Sequence, residues 1–162
     1  MNEHLVERLA AGLRARGWRL ATAESCTGGL LAAACTSIAG SSDWFERGFV
    51  TYSNLAKVEL LGVDATLIER FGAVSEEVAR AMAAGALRRA PVQLAAAVTG
   101  IAGPGGAVPG KPVGTVWLAL AWSASSVSGT RIECLQLSGG RSAVRGQTVT
   151  TALQRLIDVA SA

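Results

Sequence analysis

Ala21-Thr22-Ala23-Glu24-Ser25-Cys26-Thr27-Gly28-Gly29 joins an apolar run to an Ala/Leu-rich segment through a few small polar residues. The stretch reads as strand, turn, helix. Such a junction leaves the first N–H groups of the helix without partners. It aims them, with the positive end of the helix dipole, at whatever lies over the turn. Ser25 has two readings here, a nucleophile set beside those donors or the cap that satisfies them. Glu24 either orients a neighbour or is simply a carboxylate near a helix start.

Strand and helix patterns alternate on both sides of this junction. Leu5, Val6, Leu9 and Leu13 recur at helical spacing before Gly17, and residues 18–23 read as a buried strand. Residues 27–38 read as a helix, 44–53 as a strand interrupted by Gly48, and 55–61 as a short helix capped by Asn54 and closed by Gly62. Asp64 and Ser75 open two more helices, the second running to Arg89 with acidic residues at its start and basic ones at its end. Residues 93–98, 114–124 and 130–137 read as strands, the last two separated by a turn over 125–129, and a final helix covers about 142–160. Helices set between early strands, followed by closely spaced later strands, predict a single α/β domain over residues 1–162. Its architecture would be a three-layer α/β/α sandwich around a mixed sheet.

Composition narrows the function classes. Half of the 162 residues are hydrophobic and 17% are charged, which is the balance of a globular chain. Apolar runs stop short of a membrane span and the first residues carry no signal pattern, so no membrane partner and a cytoplasmic location are expected. The net charge of +3 is spread without a basic block, which gives nucleic-acid binding no support but suits an anionic small substrate. Cys26, Cys35 and Cys134 match neither a zinc site nor a disulfide framework. The only histidine is His4, near the start of the chain, so any nucleophilic catalysis must take its base from Lys, Glu or Tyr.

Three constellations carry candidate chemistry. Tyr52, the only tyrosine, and Lys57, one of two lysines among fifteen basic residues, bracket the start of a helix. Where a chain otherwise uses Arg, a retained Lys can give up a proton, and a place in the first helical turn lowers its pKa. The alternative is an exposed Lys and a Tyr at a strand end. The second constellation, Thr99-Gly100-Ile101-Ala102-Gly103-Pro104-Gly105-Gly106, follows an apolar strand and lets main-chain N–H groups approach a ligand. It is not a nucleotide motif. Residues 105–111 fit the glycine and lysine spacing of a P-loop, but Pro112 stands where Ser or Thr is required, and Val108 breaks the dinucleotide spacing. The third is Gly139-Gly140-Arg141 at the start of the last helix, with Arg145 one turn on. An Arg there invites an anionic partner, or is solvated.

Taken in order, these motifs resemble the CinA C-terminal domain family, whose studied members are nicotinamide mononucleotide amidohydrolases (deamidases). The resemblance rests on Ala-Glu-Ser-Cys-Thr-Gly-Gly at 23–29, Gly-Ser-Ser at 40–42 before Trp44-Phe45-Glu46-Arg47-Gly48, and Thr-Tyr-Ser-Asn at 51–54 with Lys57. It continues through Gly-Ala-Val-Ser at 72–75, Thr-Gly-Ile-Ala-Gly-Pro-Gly-Gly at 99–106 and Lys-Pro-Val-Gly-Thr-Val at 111–116. It implies Ser25 as nucleophile, with Lys57 and Tyr52 handling its proton. Ser42, Thr27, Gly28, Thr99, Gly100 and Gly103 would line the substrate site, and Arg141 or Arg145 would take the phosphate. The substrate implied is nicotinamide mononucleotide, without a metal or cofactor, in a homodimer. Two rival readings are a nucleotide-phosphate binding module without turnover and an amidase for another small amide.

Overall fold

The computed structural model describes residues 2–162. Five strands, β1 (Leu20–Glu24), β2 (Phe45–Val50), β3 (Leu94–Gly100), β4 (Thr115–Ala124) and β5 (Val127–Gln136), form one sheet in the order β2-β1-β3-β4-β5. β2, β1 and β3 run parallel, β4 pairs antiparallel to β3 and β5 antiparallel to β4, so the sheet is mixed as expected. Helices cover both faces. Against one lie α1 (Glu3–Arg16), α2 (Leu30–Cys35) and α6 (Arg141–Ala160), and their Leu9, Leu13, Leu31 and Leu153 bury with Leu20, Leu94, Leu118 and Leu120 of the sheet. Against the other lie α3 (Asn54–Leu61), α4 (Ala65–Phe71) and α5 (Glu76–Arg89). On that side the centre of the sheet presents alanines, Ala23, Ala95, Ala97, Ala119 and Ala121, to Met82, Ala83 and Leu61, with Phe49, Trp117 and Ile132 packed partly buried around them. Small side chains let this helical layer lie close on the strands, as expected of a period-2 pattern with one bulky and one small face.

Several element boundaries differ from the sequence reading, each for a local reason. α2 begins at Leu30 and not at residue 27, because Gly28 and Gly29 take positive φ (59° and 106°) and turn the chain before the helix starts. Ser53, not Asn54, caps α3, its side chain accepting from the Ala56 N–H at 3.0 Å. β3 continues through Thr99 and Gly100 into the predicted loop, paired to Trp117 and Val116. The β4–β5 hairpin turns through Ser125 and Ser126 alone, with Ser125 at φ 51°, so Val127 to Gly129 are strand and not turn.

One glycine fixes the seat of α3. Within a helix Ala is ordinarily favoured over Gly by roughly 1 kcal/mol. At Gly85 of α5, however, a Cβ would stand 2.1 Å from the Leu61 carbonyl oxygen at the end of α3. Gly85→Ala is therefore expected to destabilise by about 1–3 kcal/mol, lowering Tm by roughly 3–10 °C in a thermal melt.

The chain steps from β1 outward to β2, then back past β1 to β3. The C-terminal ends of β1 and β3 are thus neighbours whose onward segments diverge, and α/β sheets form their ligand crevices at such points. Ser25 leaves the end of β1, and Thr99 and Gly100 end β3.

Candidate active site

β1 alternates its side chains between the two faces, and that alternation separates Glu24 from Ser25. Glu24 turns toward α2. One of its oxygens, Oε1, accepts from the Thr27 hydroxyl (2.6 Å) and the Leu31 N–H (2.8 Å), and Oε2 accepts from the Ala32 N–H (3.0 Å). The carboxylate is fully buried and caps the helix itself. Ser25 is thereby released from capping. Its main chain stays tied to β3 through the Val98 carbonyl (3.0 Å), while its hydroxyl turns to the other face. Glu24→Leu would leave the Thr27 hydroxyl and two N–H groups unpaired in the interior, a loss of about 3–5 kcal/mol readable as a fall in the urea midpoint.

On that other face stands Lys57 of α3. Its Nζ lies 3.0 Å from Ser25 Oγ and donates to the carbonyls of Thr51 (2.7 Å) and Tyr52 (3.3 Å). The side chain is completely buried, and among the described residues no carboxylate lies within ion-pair distance. Burial without a counter-ion disfavours the ammonium, and the pKa falls from 10.5 to about 8. At pH 7 about one molecule in ten then carries the neutral amine, against a few in ten thousand at the ordinary value. The neighbouring thiol moves the opposite way: burial raises Cys26 to about 11, far from a thiolate.

Above this pair opens a cleft of about 210 Å³ lined by Ser25, Lys57, Thr99, Gly100, Tyr52 and Arg141, with Ala73, Val74 and Ala102 as apolar walls. Thr99 reaches it from the end of β3 while its hydroxyl donates to the Ala73 carbonyl (2.9 Å). Gly100 keeps the strand close, since a Cβ there would stand 2.6 Å from the Val116 side chain. The two arginines of α6 divide their work. Arg141, at the rim, donates to the Gly103 carbonyl and the Tyr52 hydroxyl, both at 3.0 Å. Arg145 instead clamps the nucleophile turn from outside, donating to the carbonyls of Cys26 and Thr27 at 3.1 Å each. A Cβ on Gly28 would meet that guanidinium at 3.5 Å. Among the described residues the N–H groups of Cys26 and Thr27 take no acceptor.

Three expectations need correction in geometry. Thr27 is fully buried and its hydroxyl is committed to Glu24, so it supports the turn from below and does not line the cleft. Ser42 lies in a single 3-10 turn (Ser41–Asp43) that leads into β2 at the N-terminal edge of the sheet. Its carbonyl accepts from Arg19 there. Because β1 and β2 are parallel, that edge is the far end of β1 from Ser25, roughly 15 Å away at strand rise. Tyr52 reaches Lys57 through its carbonyl only, while its hydroxyl meets Arg141. Glu24 and Arg145, the two groups that hold the turn, are the ones whose roles the sequence left open. The signal for Glu24 was its place just before a turn and a helix.

Comparison with known proteins gives a consistent result. The chain is 53% identical over 152 residues to the nicotinamide-nucleotide amidohydrolase PncC of Escherichia coli (strain K12), covering 94% of this chain and 90% of that protein. It is 49% identical over 157 residues to the protein of the same name from Pseudomonas putida, covering 96% and 94%. Among solved structures, the competence/damage inducible protein CihA from Agrobacterium tumefaciens superposes with a TM-score of 0.92 at 46% identity, over 97% of this chain and 94% of that one. The model of the CinA C-terminal domain matches residues 2–160, and with that match the chain belongs to the CinA C-terminal domain family.

Proposed function

We propose that this chain hydrolyses the carboxamide of nicotinamide mononucleotide, giving nicotinate mononucleotide and ammonia. The observation that carries the reading is the Lys57–Ser25 pair. A buried amine with a depressed pKa stands 3.0 Å from a hydroxyl that no helix end needs. The amidohydrolase names of the relatives at about half identity support the same reaction and supply the substrate class.

In the proposed mechanism neutral Lys57 takes the Ser25 proton as Oγ attacks the amide carbonyl carbon. The resulting oxyanion is received by the free N–H group of Cys26, in a turn that Arg145 holds through the carbonyls of Cys26 and Thr27. The ammonium of Lys57 then returns its proton to the leaving nitrogen. The C–N bond breaks, ammonia departs and Ser25 carries the acyl group. A water deprotonated by Lys57 hydrolyses that ester and restores the hydroxyl. The pyridine ring fits between the apolar walls of Ala73, Val74 and Ala102, and the nucleotide phosphate reaches the rim at Arg141. Binding energy at the phosphate thus positions a reacting amide at the floor.

We propose pyridine nucleotide recycling as its role, the cytoplasm as its location and a homodimer as its working form. The test is to incubate the protein with nicotinamide mononucleotide in the presence of a chelator and follow ammonia and nicotinate mononucleotide. Both products in equal amounts are expected. Thermal stabilisation by the nucleotide with no product would turn the reading to a binding module. Turnover of other small amides alone would replace the substrate.

A further inference from the structure

We propose that the Tyr52 side chain serves phosphate recognition by positioning Arg141, and takes no part in proton transfer at Lys57. The inference rests on the amidase reading for its substrate, but its geometry is independent of that chemistry. Tyr52 joins Lys57 only through its main-chain carbonyl, and the phenol hydroxyl instead accepts a hydrogen bond from Arg141 at 3.0 Å. The floor and the rim of the cleft are therefore separate polar systems. At the floor, Lys57 is saturated by Ser25 Oγ and the carbonyls of Thr51 and Tyr52, all fixed by the fold. At the rim, Tyr52 is 60% exposed and Arg141 is exposed as well.

Arg141 is held by two neutral acceptors, the Tyr52 phenol and the Gly103 carbonyl. Among the described residues no carboxylate pairs with it. A guanidinium oriented by neutral groups keeps its full charge for an incoming anion, whereas a carboxylate partner would compete with that anion. The three segments meeting here, the β2–α3 link, the β3–β4 loop and the start of α6, are far apart in sequence. Only the Tyr52 and Gly103 contacts fix where the guanidinium stands. Losing the phenol hydroxyl frees a long side chain in solvent, and that ordering cost is then met on binding.

The test is Tyr52→Phe, which keeps the aromatic wall and removes only the hydroxyl. It is assayed on nicotinamide mononucleotide and on nicotinamide riboside, which lacks the phosphate. KM for the mononucleotide is expected to rise about five- to tenfold with kcat nearly unchanged, while the riboside shows no change in either constant. Arg141→Lys should reproduce the pattern, and the double variant should lose no more than the larger single effect. A fall in kcat of similar size on both substrates would overturn the proposal and give Tyr52 back its proton-handling role. An equal rise in KM on both substrates in the variant would overturn it too. Calorimetric binding of nicotinate mononucleotide against nicotinate riboside separates this question from turnover. If wild type hydrolyses no amide, the amidase reading fails, yet a phosphate-specific loss of affinity in Tyr52→Phe still upholds the positioning role.

Discussion

Ser25→Ala is expected to lower kcat for ammonia release by about 10⁴-fold or more, because a double displacement cannot begin without the attacking oxygen. The variant should fold. Ser25 caps no helix, its N–H bond to Val98 is made by the main chain, and α2 keeps its cap in Glu24. Binding of nicotinate mononucleotide should therefore stay within about threefold of wild type by calorimetry, so that the loss falls on kcat and not on KM. Cys26→Ala is the matching control. The thiol beside Ser25 is held protonated by burial, with a pKa of about 11, and its removal should leave most of the rate. Near-complete activity in Ser25→Ala together with loss in Cys26→Ala would move the nucleophile by one residue and end the mechanism given above.

Lys57 carries the second large effect, and its sign follows from the protonation state required. The base must be neutral, and its pKa in the free enzyme is about 8. The wild-type kcat/KM should rise nearly tenfold per pH unit below that value and level off above it. Lys57→Met fills the same buried space without an amine. It is expected to lower kcat/KM by about 10²–10⁴-fold and to abolish the rise near pH 8, as measured by ammonia release from pH 6 to 9.5. Stability should not follow activity. The folded pKa lies below the unfolded one, so burying Lys57 is least favourable below pH 8 and becomes less so as pH rises from about 8 toward 10.5. Lys57→Met should then melt no lower than wild type at pH 7, which separates a catalytic loss from a folding loss. A pH profile unchanged in shape by Lys57→Met would remove Lys57 as the base.

Gly85 and Glu24 show how far local rules carry. From helix propensity alone, Gly85→Ala is an improvement. The Leu61 carbonyl on a neighbouring helix, 24 residues earlier in the chain, reverses the sign. Glu24 likewise sits where a sequence pattern places a strand end before a turn and a helix, but its neighbours alone do not say that it reaches across a double-glycine turn to cap a helix starting six residues later. The misplaced start of α2 has the same origin. Thr27 has the chemistry of a first helical turn, but two left-handed glycines postpone the helix.

What the order of residues determined by itself was the alternation of patterns that makes a mixed α/β sheet, the scarcity of histidine, and the set Ser25, Lys57, Tyr52 and Arg141 as the groups worth watching. These follow from periodicity and residue chemistry, which are local. Only tertiary structure decided which of them meet. The crossing from β1 to β3 and the close seat of α3 on α5 bring an amine and a hydroxyl 32 residues apart to 3.0 Å. The opposite facing of consecutive strand residues frees Ser25 by giving the cap to Glu24. The fold also sends the Tyr52 hydroxyl to an arginine 89 residues away and leaves Ser42 at the other end of the sheet. Contacts of that separation depend on how the layers close on one another, and no short window of sequence encodes the closure.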